Sequence, residues 1–405
     1  MKIAYLAPEI PALSATFVYN EIFQLEKLGL DITPFSVHAN NTQFSDTALQ
    51  ALKNKTHYLY QTSTLTVFFD QLEMFVKSPG NYLKAFLSLI KDILKTGFYT
   101  RLSLGLVYRF FYAGTLAKQL DKHKCEHIHV HFAHVPTDLA MYASTLAGIS
   151  FSVTAHANDL FQRGYLLKEK VERTKFFITI SEYNRQLLIS EGAEGNKITV
   201  LHCGVDPAQF SLRQGFMPSV TPKIGVVARL VEKKGIDHLI NAVAYLKKQG
   251  KAYQLAVVGD GPLLDEHKKL ATSLALNSHD VDFLGAIDHK EIASFVKSLD
   301  VFVLPCQKDS LGDMDGIPVV LMEAMLTGVP VISTAVSGIP ELVIDNETGL
   351  LAETGNVKAL ADCIQLSIND VDSTHNRVKK GVEKVQMDFS LIKNSLILYH
   401  LFLKN

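Results

Sequence analysis

The sequence has little to staple it and nothing long enough to span a bilayer. Its 405 residues carry four cysteines, Cys125, Cys203, Cys306 and Cys363, and none forms a CxxC pair. That argues against a zinc ribbon and a dithiol redox motif. Four scattered thiols suit a reducing compartment better than a disulfide scaffold. No uncharged stretch reaches the ~18 apolar residues of a spanning helix. The short apolar run at the N-terminus is stopped by Pro8 and Glu9, which suits a buried strand and fits a signal peptide poorly. The expectation is a cytoplasmic protein, soluble or peripheral on the inner membrane face. Neither sign of charge prevails, with 40 Lys+Arg against 41 Asp+Glu. No global field points to a nucleic-acid partner.

What is present is a chain 47% hydrophobic, long enough for roughly two to three domains. Short apolar runs alternate with helical spacing. Strands are expected at Lys2–Leu6, Asp31–Val37, His127–Phe132, Phe151–Ala155, Phe176–Ile180 and Ile198–Leu201. A second series is expected at Lys223–Ala228, Gln254–Val258, Val281–Leu284, Asp300–Leu304, Val329–Ser333 and Gly349–Ala352. Runs apolar at every position, such as Val301–Leu304, imply burial on both sheet faces, as in parallel sheets. The alternation implies βαβ units. Between the series, Val205–Pro222 holds Pro207, Gly215, Pro218 and Pro222 with little periodicity, and reads as an interdomain linker. The fold class is therefore α/β, two Rossmann-like doubly wound parallel-sheet domains facing an interdomain cleft. The domains are 1–205, 206–385 and a C-terminal helix, 386–405, that can pack on either domain, including back on the first.

Residues about 64–120 form a helical insertion in the first domain. Between Lys77 and Arg109 stand six basic residues (Lys77, Lys84, Lys91, Lys95, Arg101, Arg109) and one acid, Asp92. A basic amphipathic surface can dock on an anionic membrane. The plainer reading, slightly preferred, is an insertion whose apolar face is core.

Candidate chemistry collects where strands give way to helices. Asp315-Gly316-Ile317-Pro318-Val319 leads into a helix that holds Glu323, eight positions after Asp315. Gly316 allows a tight backbone approach. Pro318 suits the first helical turn, whose free amides can face a diphosphate. Gly225-Val-Val-Ala-Arg229-Leu-Val-Glu232-Lys233-Lys234-Gly235 ends a strand in a basic loop. Arg229 and Lys234 there can neutralise charge on a leaving diphosphate, whereas Lys233 and Glu232 are expected to matter less. Gly259-Asp260-Gly261 and Phe283-Leu284-Gly285 close two further strands. In the first half, His156 and Asp159 follow the strand Phe151–Ala155. His127, His129 and His131 alternate on one strand face. Three imidazoles on a face can hold a metal, but no partner carboxylate is evident, and the expectation is no metal. His131, nearest the strand end, is a candidate for the acceptor side. So are Ser14 and Thr16, which follow the first strand and could equally be helix caps.

These motifs resemble the large retaining glycosyltransferase family numbered four, also described as glycosyltransferase group 1. The N-terminal turn is similar to its exopolysaccharide and colanic-acid subgroup. The family hallmark is a Glu, seven intervening residues and a second Glu. Here Asp315 replaces the first, one methylene shorter. The resemblance implies a GT-B fold and a UDP- or GDP-linked sugar donor as substrate, with no cofactor and no metal. The acceptor is then a saccharide or lipid-linked. It assigns the leaving diphosphate to Arg229 and Lys234, and the donor sugar to Asp315 and His156. Glu323 falls to the ribose, and Gly316, Ile317, Pro318, Val319, Gly259, Gly261 and Leu284 to the donor pocket. Three other readings stay open: a metal-dependent transferase of the other major fold, prompted by Asp313-Met314-Asp315; a sugar-nucleotide epimerase of the same architecture; and a non-catalytic nucleotide-sugar-binding protein.

Overall fold

The computed structural model describes residues 1–12, 15–213 and 215–404. The chain divides into two compact units, Met1–Leu201 with the tail from Leu391, and His202–Ser390.

The first unit is built on a seven-stranded sheet. Its strands are β1 (Lys2–Ala7), β2 (Asp31–Ser36), β3 (His57–Tyr58), β4 (His127–His131), β5 (Ser150–Ala155), β6 (Phe177–Thr179) and β7 (Ile198–Val200). Their order is β3-β2-β1-β4-β5-β6-β7, and every pairing is parallel. Residues Ile3–Ala7 are buried throughout, as strands covered on both faces require. The second unit repeats the plan with β8 (Lys223–Val227), β9 (Gln254–Val258), β10 (Val281–Gly285), β11 (Val301–Val303), β12 (Val331–Thr334) and β13 (Leu350–Ala352). The order is β10-β9-β8-β11-β12-β13. Strand order reverses between β1 and β4, and again between β8 and β11. In such sheets ligands bind beyond the carboxyl ends of the strands at these reversals.

All twelve anticipated strands are present, within a residue or two at their ends. The two-residue edge strand β3, paired to Phe35 and Ser36, was not anticipated, because two residues carry no readable period. Residues 205–222 are not a loose tether. Val205 bridges to Ser390. The Arg213 amide donates to the Thr327 carbonyl at 2.9 Å, and its guanidinium donates to the Leu299 carbonyl at 2.7 Å. Polar backbone bonds and the buried Phe216 fasten this proline-rich stretch onto the second unit.

The insertion is three helices, Thr64–Lys77, Pro79–Thr96 and Arg101–Lys122. Their inward side chains, among them Met74, Leu89, Leu106 and Phe110, join the first unit's core. Asp92 is fully buried. Its carboxylate accepts from Arg173 at 2.7 and 2.5 Å and from the Tyr142 hydroxyl at 2.8 Å. The acid counted with the basic residues is thus an internal anchor. Asp138 is likewise buried, between Arg109 and Lys170 at 3.1 Å each. Removing one partner of such a pair costs about 3–5 kcal/mol.

The C-terminal helix Leu391–Leu403 belongs to the first unit. Phe402 packs its ring on His127, His129 and Phe176, with centroids 5.1–5.7 Å apart.

Candidate functional site

In the second unit, the loops after β8 and β11 interlock at the strand reversal. Lys234 Nζ lies 2.6 Å from Asp315 Oδ2, and Lys233 Nζ lies 3.3 Å from Asp315 Oδ1 and 2.9 Å from Asp313 Oδ2. The Cys306 thiol donates to Asp315 at 3.4 Å. Burial would raise the Asp315 carboxyl, but Lys234 and Lys233 outweigh it and hold it below the usual aspartate value. Burial would likewise lower Lys234, and Asp315 reverses this and holds it above the usual lysine value. Both groups are therefore charged at neutral pH. Lys233 belongs to this cluster, a correction to the lesser place expected for it, because it bridges both acids. Glu232 accepts from the Ser310 amide at 2.9 Å and its hydroxyl at 2.7 Å, which orders the loop after β11.

Arg229 is exposed and has no ion-pair partner among the described residues. Its loop is held by the glycine turn after β9. The Ala228 amide donates to Val258 O at 3.0 Å, and the Leu230 amide to Asp260 O at 2.9 Å. Gly259 adopts φ +133°, and a Cβ there would lie 1.8 Å from the Ala228 carbonyl oxygen. A Cβ on Gly261 would lie 2.5 Å from the Leu230 carbonyl. These glycines let one strand-end loop lie directly on another. The Gly259 amide donates to Gly285 O at 2.8 Å, which joins the Leu284 turn to the same stack. Leu284 itself is exposed.

The helix after Asp315 spans Val319–Leu326, and no side chain caps its first turn. Pro318 is the residue before the helix rather than its first turn, with extended backbone (φ −63°, ψ 124°). Gly316, Ile317 and Pro318 are buried, Val319 partly so. Glu323, half-buried, lies in the helix's second turn. Together these place an exposed cation, a bound ammonium and an uncapped helix start on adjacent strand ends, an arrangement that suits a diphosphate.

In the first unit, histidines meet beyond β4 and β5. His131 Nδ1 lies 3.0 Å from His156 Nε2, and His131 Nε2 lies 3.0 Å from Glu21 Oε1 and 3.2 Å from the Tyr5 hydroxyl. The carboxylate can only accept, so His131 donates from Nε2. Its Nδ1 shares a second hydrogen bond with His156 Nε2. Burial pushes His156 well below the usual histidine value. Both rings are buried. His131 therefore does not line an open acceptor surface, a correction caused by hydrogen bonds at both its nitrogens. His156 too is inside, packed on Phe17 at 4.4 Å, rather than projecting freely. Asp159 accepts from the Ala133 amide at 2.7 Å and the His156 amide at 3.1 Å, fixing the turn that carries His156. Thr16 opens the helix Thr16–Lys27 without capping it, and Ser14 lies outside the described residues.

Glu21 supplies the carboxylate that the sequence did not show beside the histidine strand. Glu21, His129 and His131 bring ligand atoms within 4.8 Å of one another. However, His129 bonds Ser152 through Nδ1 at 2.8 Å and Thr154 through Nε2 at 3.1 Å. Both nitrogens are taken by hydroxyls, and the cluster fits a hydrogen-bonded network better than a metal site. The Asp313–Asp315 pair is similarly occupied by two ammonium groups, which oppose a divalent cation.

Residues 210–384 match the family profile described as glycosyl transferases group 1, and residues 79–209 that of glycosyltransferase family 4. The chain is 30% identical over 402 residues to the amylovoran biosynthesis glycosyltransferase AmsK of Erwinia amylovora, covering 92% of each. This chain belongs to the group 1 glycosyltransferases. It is also 28% identical over 402 residues to the putative colanic acid biosynthesis glycosyltransferase WcaL of Salmonella typhimurium, covering 96% of each. HepE of Anabaena, solved in complex with UDP, superposes with a TM-score of 0.71 at 16% identity, over 99% of each chain. The fold of this glycosyltransferase is thus GT-B. The sequence did not join Glu21 to the histidine strand, nor Lys233 and Cys306 to Asp315. Glu21 stands 110 positions from His131, and only topology joins them.

Proposed function

We propose that this glycosyltransferase moves a sugar from a UDP- or GDP-linked donor to a saccharide or lipid-linked acceptor, with retention at the anomeric carbon. The pathway we infer is surface polysaccharide synthesis, supported by the likeness to AmsK and WcaL across nearly the whole chain. The observation that carries the donor reading is Lys234, held charged beside the loop that feeds an uncapped helix, at the strand reversal of the second unit.

In the proposed step, the bond from the anomeric carbon to the diphosphate oxygen breaks and the electron pair leaves with the diphosphate. The acceptor hydroxyl attacks on the same face and passes its proton to the departing phosphate. Arg229, Lys234 and the amides at Val319 stabilise the charge that develops there. Glu323 accepts from ribose hydroxyls. Gly259, Gly261, Gly316, Ile317, Pro318 and Leu284 shape the donor pocket. Asp315, fixed by its lysines, and the neutral imidazole of His156 are assigned to sugar hydroxyls. Thr16 and Ser14 are assigned to the acceptor side. The reading requires no metal, cofactor or nucleic acid, and places the enzyme in the cytoplasm with an anionic membrane surface as a partner.

A thermal-shift screen with UDP, GDP and their sugars tests the donor site. A ligand at a hundred times its Kd stabilises by about 2.7 kcal/mol. Absence of any shift would sink the donor reading. NMR of the product's anomeric centre tests retention, and an inverted product refutes it. Donor consumed without acceptor would instead identify an epimerase.

A further inference from the structure

The outer side of the helical insertion is the most unusual surface of the first unit. From Thr64–Lys77 it exposes Leu65, Phe68, Phe69, Leu72, Phe75 and Val76. From Pro79–Thr96 it exposes Leu83, Phe86, Leu87, Ile90 and Leu94. The following turn presents Phe98 and Tyr99, and Arg101–Lys122 adds Leu104, Tyr108 and Phe111. Val76 is 79% exposed and Tyr99 91%. Isolated apolar residues on a surface are ordinary. Here three helices that pack on one another each carry several such residues, a concentration that marks an interaction site.

The spacing on Pro79–Thr96 shows two rows. Leu83, Leu87, Ile90 and Leu94 form an apolar stripe at helical period, and Lys84, Lys91 and Lys95 run beside it one position on. Lys84, Lys91 and Arg101 have no ion-pair partner among the described residues. The acids nearby are already engaged: Asp70 and Glu73 with Lys118 at 2.8 Å each, Asp92 with Arg173, and Glu169 with Lys95 of the row itself, so the uncompensated cations of this face are Lys84, Lys91 and Arg101. The face is therefore apolar and net positive. Among the described residues, no helix is long and apolar enough to cross a membrane.

We propose that this face docks on an anionic lipid bilayer, its apolar side chains entering the headgroup–acyl boundary and its lysines meeting lipid phosphates. Charge complementarity selects this occupant. A second copy joined about a two-fold axis would place the same patch against itself, bringing the lysine row against its own kind. An anionic bilayer offers both an apolar interior and opposite charge. The inference stands on the first unit's surface alone and does not depend on the donor chemistry.

The test is flotation of the full chain with phosphatidylglycerol–phosphatidylcholine vesicles, against phosphatidylcholine alone. Two variants are compared, Lys84→Glu/Lys91→Glu/Arg101→Glu and Leu87→Ser/Ile90→Ser/Tyr99→Ser. All changed positions are exposed, so circular dichroism and the melting temperature should match wild type. The wild type is expected to float with anionic vesicles. Each variant should lose roughly tenfold or more of its partitioning. High salt should weaken wild-type binding without abolishing it, because the apolar term is unscreened. Unchanged partitioning of the serine variant, or no wild-type flotation, would overturn the proposal. So would a wild-type dimer in solution that the serine variant dissolves, since the face would then be a contact between copies.

Discussion

Lys234 and Asp315 close a 2.6 Å salt bridge between loops that leave the neighbouring strands β8 and β11. The family hallmark puts a glutamate where Asp315 stands. The shorter acid grips the lysine proposed to receive the diphosphate. The site is therefore neutralised at rest, and an incoming diphosphate would compete with Asp315 for the ammonium. That makes stability and activity separable at two cations that looked equivalent in sequence.

Arg229→Ala and Lys234→Ala should each lower kcat/KM by about 10²–10³, the cost of losing one donor to a developing negative charge. Their stabilities should differ. Arg229 is exposed and pairs with no acid among the described residues, so its loss should change unfolding free energy by no more than about 0.5 kcal/mol. Lys234→Ala removes the nearer of the two ammonium groups on partly buried Asp315, leaving Lys233 at 3.3 Å, and should cost about 1–3 kcal/mol. Steady-state kinetics with urea melts of both variants would check this. Equal melts would refute the pairing.

The same bridge fixes a pH window. Asp315 is held below its ordinary value, so its stabilisation is present at neutral pH and is lost as pH falls through that lowered value. Lys234 is held above its ordinary value, so its part is lost only in strong alkali. Asp315→Asn should be less stable than wild type at pH 7, and the gap should narrow as the pH falls below about 4. A gap independent of pH would exclude an ionic origin.

A milder acid should reach the first unit earlier. Burial pushes His127 and His134 down to about 3, and His129 and His156 well below the usual 6.5. The unfolded chain protonates these rings as pH drops below 6.5, while the folded unit does not. Their stabilising effect is full above 6.5 and fades below it, at roughly 1.4 kcal/mol per pH unit for each ring. Calorimetry from pH 7.5 to 5 should show the first unit's transition falling faster than the second's. His127→Phe should shallow the slope by one proton.

Gly259→Ala drives a methyl into the Ala228 carbonyl at a positive φ, and should destabilise by on the order of 3 kcal/mol while weakening nucleotide binding through the Arg229 loop. Gly250 also has positive φ but faces open space. Gly250→Ala should cost only about 1–2 kcal/mol and leave nucleotide affinity unchanged. Equal effects on affinity would show that the glycine turn does not support the loop.

Transferase activity should survive excess chelator, since Lys233 and Lys234 already occupy the Asp313–Asp315 carboxylates. Loss of activity on chelation, with recovery on adding a divalent cation, would overturn the metal-free reading.

The strands and their parallel pairing were legible because apolar runs such as Val301–Leu304 have few alternatives to a doubly covered sheet. Arg229, Lys234 and Asp315 were legible as a set because each lies between a strand and the helix that follows it. Their mutual bonding was not, since spacing along the chain says nothing of which ammonium reaches which carboxylate. The histidine strand was visible, but its completion by Glu21 depends on β1 lying beside β4. The insertion was legible in part. Its inward face, with Met74, Leu89, Leu106 and Phe110, is core as expected, but helical period alone does not say that further apolar side chains such as Leu65, Phe69 and Leu94 lie on the surface.

The last helix, Leu391–Leu403, completes the core begun by the first 201 residues. Phe402 can cover His127, His129 and Phe176 only once the residues beyond Ser390 have been made. During synthesis, the first unit must therefore leave the ribosome with one flank open while the whole second unit is translated. Its final closure must wait until Leu391–Leu403 has followed the second unit out of the ribosome. A truncation before Leu391 would keep every residue of the second unit and still unsettle the first.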